Sequence, residues 1–297
     1  MKLMIGTAQF GRQYGIANKS GIVTAHEAFN IIKMAIDNGI NWVDTAHDYG
    51  NSEKLIGILS KRLDTKLNIV TKAFLGHLNP QPGVIIPSIK NTLDDLGVDE
   101  VYGLLIHNPA DLMGDQADAV FNVLNEVVHF GMARKIGVSV STPEQAEIIT
   151  ENYPLDIVQV PCNLFDQRFI QSGTIDRLAS YGLEIQVRSI FLQGLFFMEL
   201  ENLSEHFNEV KPLLVKLHKV AEDNGVSVRK LALEYVKAID NVERIIVGVD
   251  SSKQFKELID DYNAPFDVSI DFKQFAVNDE RFVNPGNWGC GGWCDEV

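Results

Sequence analysis

The chain has 297 residues, 45% of them hydrophobic, and carries a formal net charge of −14. That charge repels nucleic-acid phosphates and anionic membrane surfaces, so neither is an expected partner. No apolar segment reaches the roughly 18 residues of a membrane span, and the N-terminus shows no signal-peptide run. Cys162, Cys290 and Cys294 are too sparse for a disulfide framework, so a reducing, cytoplasmic setting is expected.

Short apolar runs alternate with longer helical patterns along the whole chain. The first strand is predicted at 3–6. Thr24 with Glu27 reads as a capping box opening a helix at 25–38, with Phe29, Ile32 and Ile36 on one face and Asn38-Gly39 as its stop. A strand at 41–44 follows, then a helix at 52–62, a strand at 68–72 and a helix at 84–96. The strand at 101–107 leads to a helix at 117–130 and a strand at 135–139. Thr142, Pro143 and Gln145 signal the next helix start, with proline at the first helical position. A strand at 157–160, a helix at 172–181 and a strand at 184–188 come next. The stretch 191–210 breaks the rhythm and is expected to form a long loop at the active face. Helices at 210–224 and 227–238 precede the last strand, 244–247, and a final helix follows Ser252.

The strands are near-continuous apolar runs, as parallel strands covered on both faces require. Eight strand-helix repeats point to a closed (β/α)8 TIM barrel or a large doubly wound sheet. No Gly-x-Gly-x-x-Gly follows the first strand, which disfavours the dinucleotide-binding open sheet. No linker divides the chain, so the expectation is one α/β barrel domain over 1–283 and a tail at 284–297 that covers the active face.

Chemistry in such a barrel gathers where the strands end. Here consecutive strands end in Asp44, Lys72 and His107. Neighbouring strands lie about 4.8 Å apart, so the three side chains can meet. Tyr49 follows on the loop leaving the second strand. An ammonium beside a phenol favours phenolate, which predicts a lowered Tyr49 pKa. Asp44 would hold Lys72, Tyr49 would exchange a proton with a carbonyl oxygen, and His107 would orient the same oxygen.

Asp44-Thr45-Ala46-His47-Asp48-Tyr49-Gly50-Asn51-Ser52-Glu53 resembles the Asp-Thr-Ala-x-x-Tyr-Gly-x-Ser-Glu signature of the aldo-keto reductases. The resemblance runs from Gly6-Thr7-Ala8 to about Leu258. It implies a barrel that uses NADP, with NAD the alternative, and a tetrad of Asp44, Tyr49, Lys72 and His107. It also implies Ser139 and Gln159 on the nicotinamide carboxamide, and Ser189, Phe191, Gln193 and Gly194 along the pyrophosphate. Gly248, Ser251 and Gln254 would hold the adenosine end, where a helix N-terminus offers free N–H groups to phosphate. Arg188 stands where many members stack an aromatic ring on the nicotinamide, and a planar guanidinium can also stack. The loop at Gly248 lacks the lysine and arginine that many members place on the 2′-phosphate. The hairpin that commonly plugs the barrel base is absent before the first strand. Gly6-Thr7-Ala8-Gln9-Phe10-Gly11 with Tyr14-Gly15-Ile16 is similar to a bacterial branch linked to sugar pathways, which suggests a small carbonyl or sugar-like substrate.

The expected substrate pocket is Gln9, His47, Asn108 and Trp288, with His47, like His77, also open to a purely structural reading. Trp288 or Trp293 could stack on a substrate. Cys290 and Cys294 could chelate a metal or form a disulfide, but two thiols without a clear histidine partner are a weak ligand set, and no metal is expected. Two other functions compete with reduction: a barrel lyase using Lys72 as a Schiff-base lysine, and a regulatory subunit that binds the nicotinamide cofactor as a sensor.

Overall fold

The computed structural model describes residues 1–73, 75 and 81–288. Eight parallel strands close into a barrel in chain order. They are β1 (Leu3–Gly6), β2 (Trp42–Asp44), β3 (Asn68–Ala73), β4 (Val101–Ile106), β5 (Ala133–Ser139), β6 (Ile157–Pro161), β7 (Glu184–Arg188) and β8 (Val242–Gly248). Closure is made by β1, whose Gly6 is in register with Asp44 on one side and Gly248 on the other. The outer ring comprises α1 (Ala25–Asp37), α2 (Ser52–Arg62), α3 (Pro82–Leu96), α4 (Ala117–His129), α5 (Pro143–Asn152), α6 (Thr174–Ser180), α7 (Lys211–Asp223), α8 (Val228–Lys237) and α9 (Ser252–Asn263). Among the described residues no helix is long and apolar enough to cross a membrane. The fold is therefore a (β/α)8 TIM barrel in a single domain.

Strand alternation sorts each strand into an outward apolar row and an inward row. The outward rows join the helices in one large core that includes Ile5, Val43, Ile69, Leu104, Val138 and Val187. Inside the barrel, Met4, Val70, Leu105, Ile157 and Ile246 form a separate apolar layer. Two residues further along those inward rows stand Gly6, Lys72 and Gln159. The period of two thus carries each strand from a packed layer to a chemical one.

A line of polar side chains nevertheless crosses the interior. Gln159 donates to Gln186 Oε1 at 2.9 Å, and Gln186 donates to Glu184 Oε1 at 2.9 Å. Glu184 accepts from Tyr102 and Lys135 at 2.7 and 2.9 Å. The last three, with Trp42 edge-on to Tyr102 and Arg244 stacked on Trp42, lie at the strand-start end of the barrel.

Three expectations change. Thr24 accepts from the Glu27 N–H, but the Glu27 carboxylate does not return to complete the box. It binds Ser252 N at 3.3 Å and Ser252 Oγ at 3.0 Å, because the start of α9 presents unsatisfied donors nearby. The helix expected at 172–181 starts only at Thr174, after Gly173 at φ 71°, and a separate short helix, Arg168–Gln171, precedes it. The stretch 191–210 contains three 3₁₀ turns, Leu192–Phe197, Leu200–Asn202 and Glu205–Phe207.

Gly137, on the inward row of β5, is required by close approach: an added Cβ would overlap the Ile157 carbonyl oxygen and lie 2.7 Å from Leu105 Cδ2. Gly137→Ala should cost about 1–3 kcal/mol in chemical denaturation, the usual penalty for overpacking. An unchanged midpoint would show that β5 and β6 are less tightly apposed.

Candidate active site

Asp44, Lys72 and His107 at the strand ends meet Tyr49 at one end of the barrel. Lys72 Nζ donates to Asp44 Oδ1 at 2.7 Å, to Oδ2 at 2.8 Å and to the Thr45 carbonyl at 3.0 Å. Both side chains are buried, Asp44 at 4% exposure and Lys72 at 2%. Burial pulls the Lys72 pKa below its ordinary value, and the Asp44 carboxylate opposes that pull. Gln159 adds a third hydrogen bond to the Asp44 carboxylate, donating to Oδ1 at 2.6 Å.

Tyr49 is set over this pair by the loop between β2 and α2. Gly11 lets the loop close down, since a Cβ there would collide with the Tyr49 carbonyl. Ser52 Oγ ties the start of α2 to Thr7, with 2.8 Å to its Oγ1. Glu53 is buried behind, bonded to Thr71 at 2.6 Å and Thr92 at 3.2 Å. The Tyr49 ring then lies 5.3 Å from Lys72 Nζ, 5.2 Å from the Arg12 guanidinium and edge-on to His107 at 5.9 Å.

The lowered Tyr49 pKa expected from a neighbouring ammonium is not what this environment produces. Burial raises the pKa well above its usual value, and the Asp44 carboxylate raises it further. The larger cause is loss of water around the phenol, with the Asp44 carboxylate second, and Lys72, bonded to both oxygens of that carboxylate, does not reverse the shift. Tyr49 is held as a neutral phenol.

Two residues at this centre are not apparent from strand ends. Asp48, beside Tyr49 in the motif, contacts His107 Nδ1 at 3.1 Å, with Arg12 at 3.9 Å. Burial works to raise the Asp48 pKa, but His107 and Arg12 outweigh it and hold the carboxyl below the ordinary range. Arg12 belongs to the loop after β1, and no periodic pattern marks it.

From this centre a groove of about 570 Å³ runs to β8 and α9. Gly6, Thr7, Ala8 and Ser139 line it, as do Arg188, Ser189, Phe191, Gln193 and Gly194. Its far end includes Gly248, Gln254 and Glu257. Arg188 bonds Ser139 Oγ at 3.2 Å and the Val140 carbonyl at 3.0 Å, and no carboxylate among the described residues pairs with it. One wall of the groove is strained: Ser189, Leu192 and Gln193 lie at φ 61°, 48° and 52°, beside Gly194 at 89°. Such strain concentrates at ligand sites.

Other expected site residues are placed differently. Gln9 lines the groove, but its amide lies against Gly248. Gln159 is fully buried, and its Oε1 has no partner among the described residues. Ser251 caps α9 by accepting from Gln254 N at 3.2 Å. The free N–H groups expected there are largely engaged: Ser252 N by Glu27, Gln254 N by Ser251 and Asp250 N by Gln254. His47 is half exposed, 3.5 Å from Glu53, and outside the groove. Asn108 caps the short turn Pro109–Leu112 through Ala110 N. Trp288 is buried edge-on against Phe207 at 5.0 Å, in the core rather than the groove. His77, Cys290, Trp293 and Cys294 lie outside the described residues.

The barrel agrees with the comparison to known proteins. A model described as "Aldo/keto reductase family" matches residues 2–273. The chain belongs to the aldo/keto reductase family, and is an NAD(P)H-dependent oxidoreductase. Aldo-keto reductase YhdN of Bacillus subtilis is 30% identical over 151 residues, spanning 48% of this chain and 45% of that protein. L-glyceraldehyde 3-phosphate reductase of Escherichia coli is 23% identical, over 91% of this chain and 88% of that protein. Aldo-keto reductase AKR11C1 from Bacillus halodurans shares the fold with a TM-score of 0.73 and 20% identity, over 92% of this chain and 89% of that one.

His107 is the main partner that holds the Asp48 carboxyl down, so removing it should raise the Asp48 pKa. In His107→Ala, ¹³C NMR titration should show the Asp48 carboxyl protonating at higher pH than in the parent protein. An unmoved titration would mean that His107 and Asp48 are not electrostatically coupled.

Proposed function

We propose that the chain reduces a small aldehyde or ketone, or oxidises the corresponding alcohol, with a nicotinamide dinucleotide lying along the groove and Tyr49 as the acid and base. The observation that carries this reading is a half-buried phenol set over an ion-paired lysine at the end of a long groove. The residues fit the cofactor: the orphaned Gln159 Oε1, next to Ser139 in register, is the acceptor that a carboxamide N–H₂ complements. Ser139, Gln159 and Arg188 would hold the nicotinamide end, and the strained wall from Ser189 to Gly194 would follow the pyrophosphate. NADP is the family's usual dinucleotide.

When bound, the reduced cofactor supplies hydride to the carbonyl carbon. Tyr49 gives its hydroxyl proton to the carbonyl oxygen, which becomes the alcohol. A phenol kept neutral by burial is in the correct protonation state for that transfer. Lys72 and Arg12 then stand near the resulting phenolate and limit the cost of its charge. His107, braced by Asp48, orients the substrate oxygen. In the reverse direction Tyr49 takes the proton back.

The lyase reading needs an amine with a free lone pair. Lys72 instead donates to three oxygens and has 2% exposure. A sensor subunit would need the groove but no proton donor above a buried ion pair. A hydroxylated, sugar-like substrate is supported by polar side chains on the groove near Tyr49, including Arg12, Tyr14 and Gln193. One relative is also named for reducing a phosphorylated hydroxy aldehyde. The cytoplasmic setting is part of this proposal; Cys162 is a buried free thiol whose pKa burial pushes up to about 12, so it is inert.

The test is a panel of aldehydes, ketones and aldoses with NADH and NADPH. Tyr49→Phe should bind cofactor as before and lose about 10²–10⁴-fold in kcat, the usual share of a general acid. Near-parent turnover in that variant would remove the mechanism.

A further inference from the structure

We propose that this groove takes NAD in preference to NADP, and that Asp250 and Glu27 set the preference. The inference rests on the reading that a nicotinamide dinucleotide occupies the groove. With the reacting ring beside Tyr49, the adenosine ribose must reach the opposite end, built by β8 and the start of α9.

That end is acidic. Asp250, Glu257 and Arg229 line it. Arg229 is held by Glu257 at 3.0 Å and by Asp261 at 2.7 Å, so its charge is already met. Asp250 is half-buried and has no cationic partner among the described residues. A carboxylate in that position can accept both hydroxyls of a ribose diol. A 2′-phosphate, with about two negative charges, would meet repulsion there instead.

The start of α9 gives an independent indication. A helix N-terminus attracts phosphate through its free N–H groups and its dipole. Here an internal anion already occupies it: Glu27 binds Ser252 N at 3.3 Å and Ser252 Oγ with both carboxylate oxygens at 3.0 Å. Gln254 closes the same turn by accepting from Asp250 N at 2.8 Å. A 2′-phosphate would have to displace a carboxylate from its donors and then sit beside a second one. Lys19, exposed on the groove lining, and Lys253, exposed in the first turn of α9, are the cations that would oppose this arrangement.

Calorimetric titration of the full chain with NADH and NADPH tests the proposal. NADH should bind about tenfold tighter or more, a difference of about 1.4 kcal/mol. Asp250→Arg should reverse the order, and the milder Asp250→Asn should narrow the gap, with circular dichroism confirming that each variant is folded. NADPH binding as tightly as NADH to the parent chain would overturn the proposal while leaving the groove's reading intact. So would an unchanged preference in both Asp250 variants, or NADPH affinity that collapses in Lys19→Ala. Binding of neither nucleotide would overturn the dinucleotide reading itself, and this inference with it.

Discussion

An ammonium cannot stay charged in a barrel interior without an anion in contact. Lys72 and Asp44 satisfy that constraint together: both oxygens of the carboxylate meet Nζ, and the Thr45 carbonyl takes the third proton. The pairing depends on strand order, because the ends of the neighbouring β2 and β3 bring the two into reach. Removing one partner of such a pair commonly costs about 3–5 kcal/mol, since the other is left buried and unpaired. The line through Gln159, Gln186 and Glu184 extends the constraint to Lys135 at the far end of the barrel. Asp44 is therefore braced from below as well as paired from the side.

The ion pair also shapes its neighbour. Loss of water around the phenol and the Asp44 carboxylate act in the same direction on Tyr49, and its pKa rises. In the proposed reduction that is useful: the donor holds its proton until a carbonyl oxygen develops negative charge. Arg12 and Lys72, both within 5.3 Å of the ring centroid, then have a phenolate to stabilise. The second ionic contact, between His107 and Asp48, stands beside the first and is the more exposed of the two.

Much of this architecture is legible in the amino-acid order, because two periodicities carry it. Apolar runs such as Leu104-Leu105-Ile106 mark strands buried on both faces, and the polar residue after each run marks the chemical end of the barrel. Asp44, Lys72 and His107 are visible for that reason. Tyr49 is visible because it follows a strand end within a long signature. Arg12 and Asp48 are not, since loop residues have no period and their roles come from three-dimensional neighbours. The direction of the Tyr49 shift is hidden for a similar reason: sequence order places a lysine near a phenol but cannot say how much water the fold removes from around it. Thr24 and Glu27 show local pattern losing to tertiary context, with the glutamate drawn away from its own helix to the start of α9. Trp288 was legible as an aromatic near the active face, yet Phe207 and the core claim it.

The central claim is that loss of water and the Asp44 carboxylate together leave Tyr49 a neutral donor. Ultraviolet difference titration of the ligand-free chain against Tyr49→Phe measures this directly, because only the phenolate of Tyr49 distinguishes the two. The account predicts no phenolate from this residue until the pH exceeds the ordinary tyrosine value of about 10. Ionisation of Tyr49 near pH ~8, well below that ordinary value, would show that the lysine's field outweighs the loss of water and the carboxylate, and would contradict it.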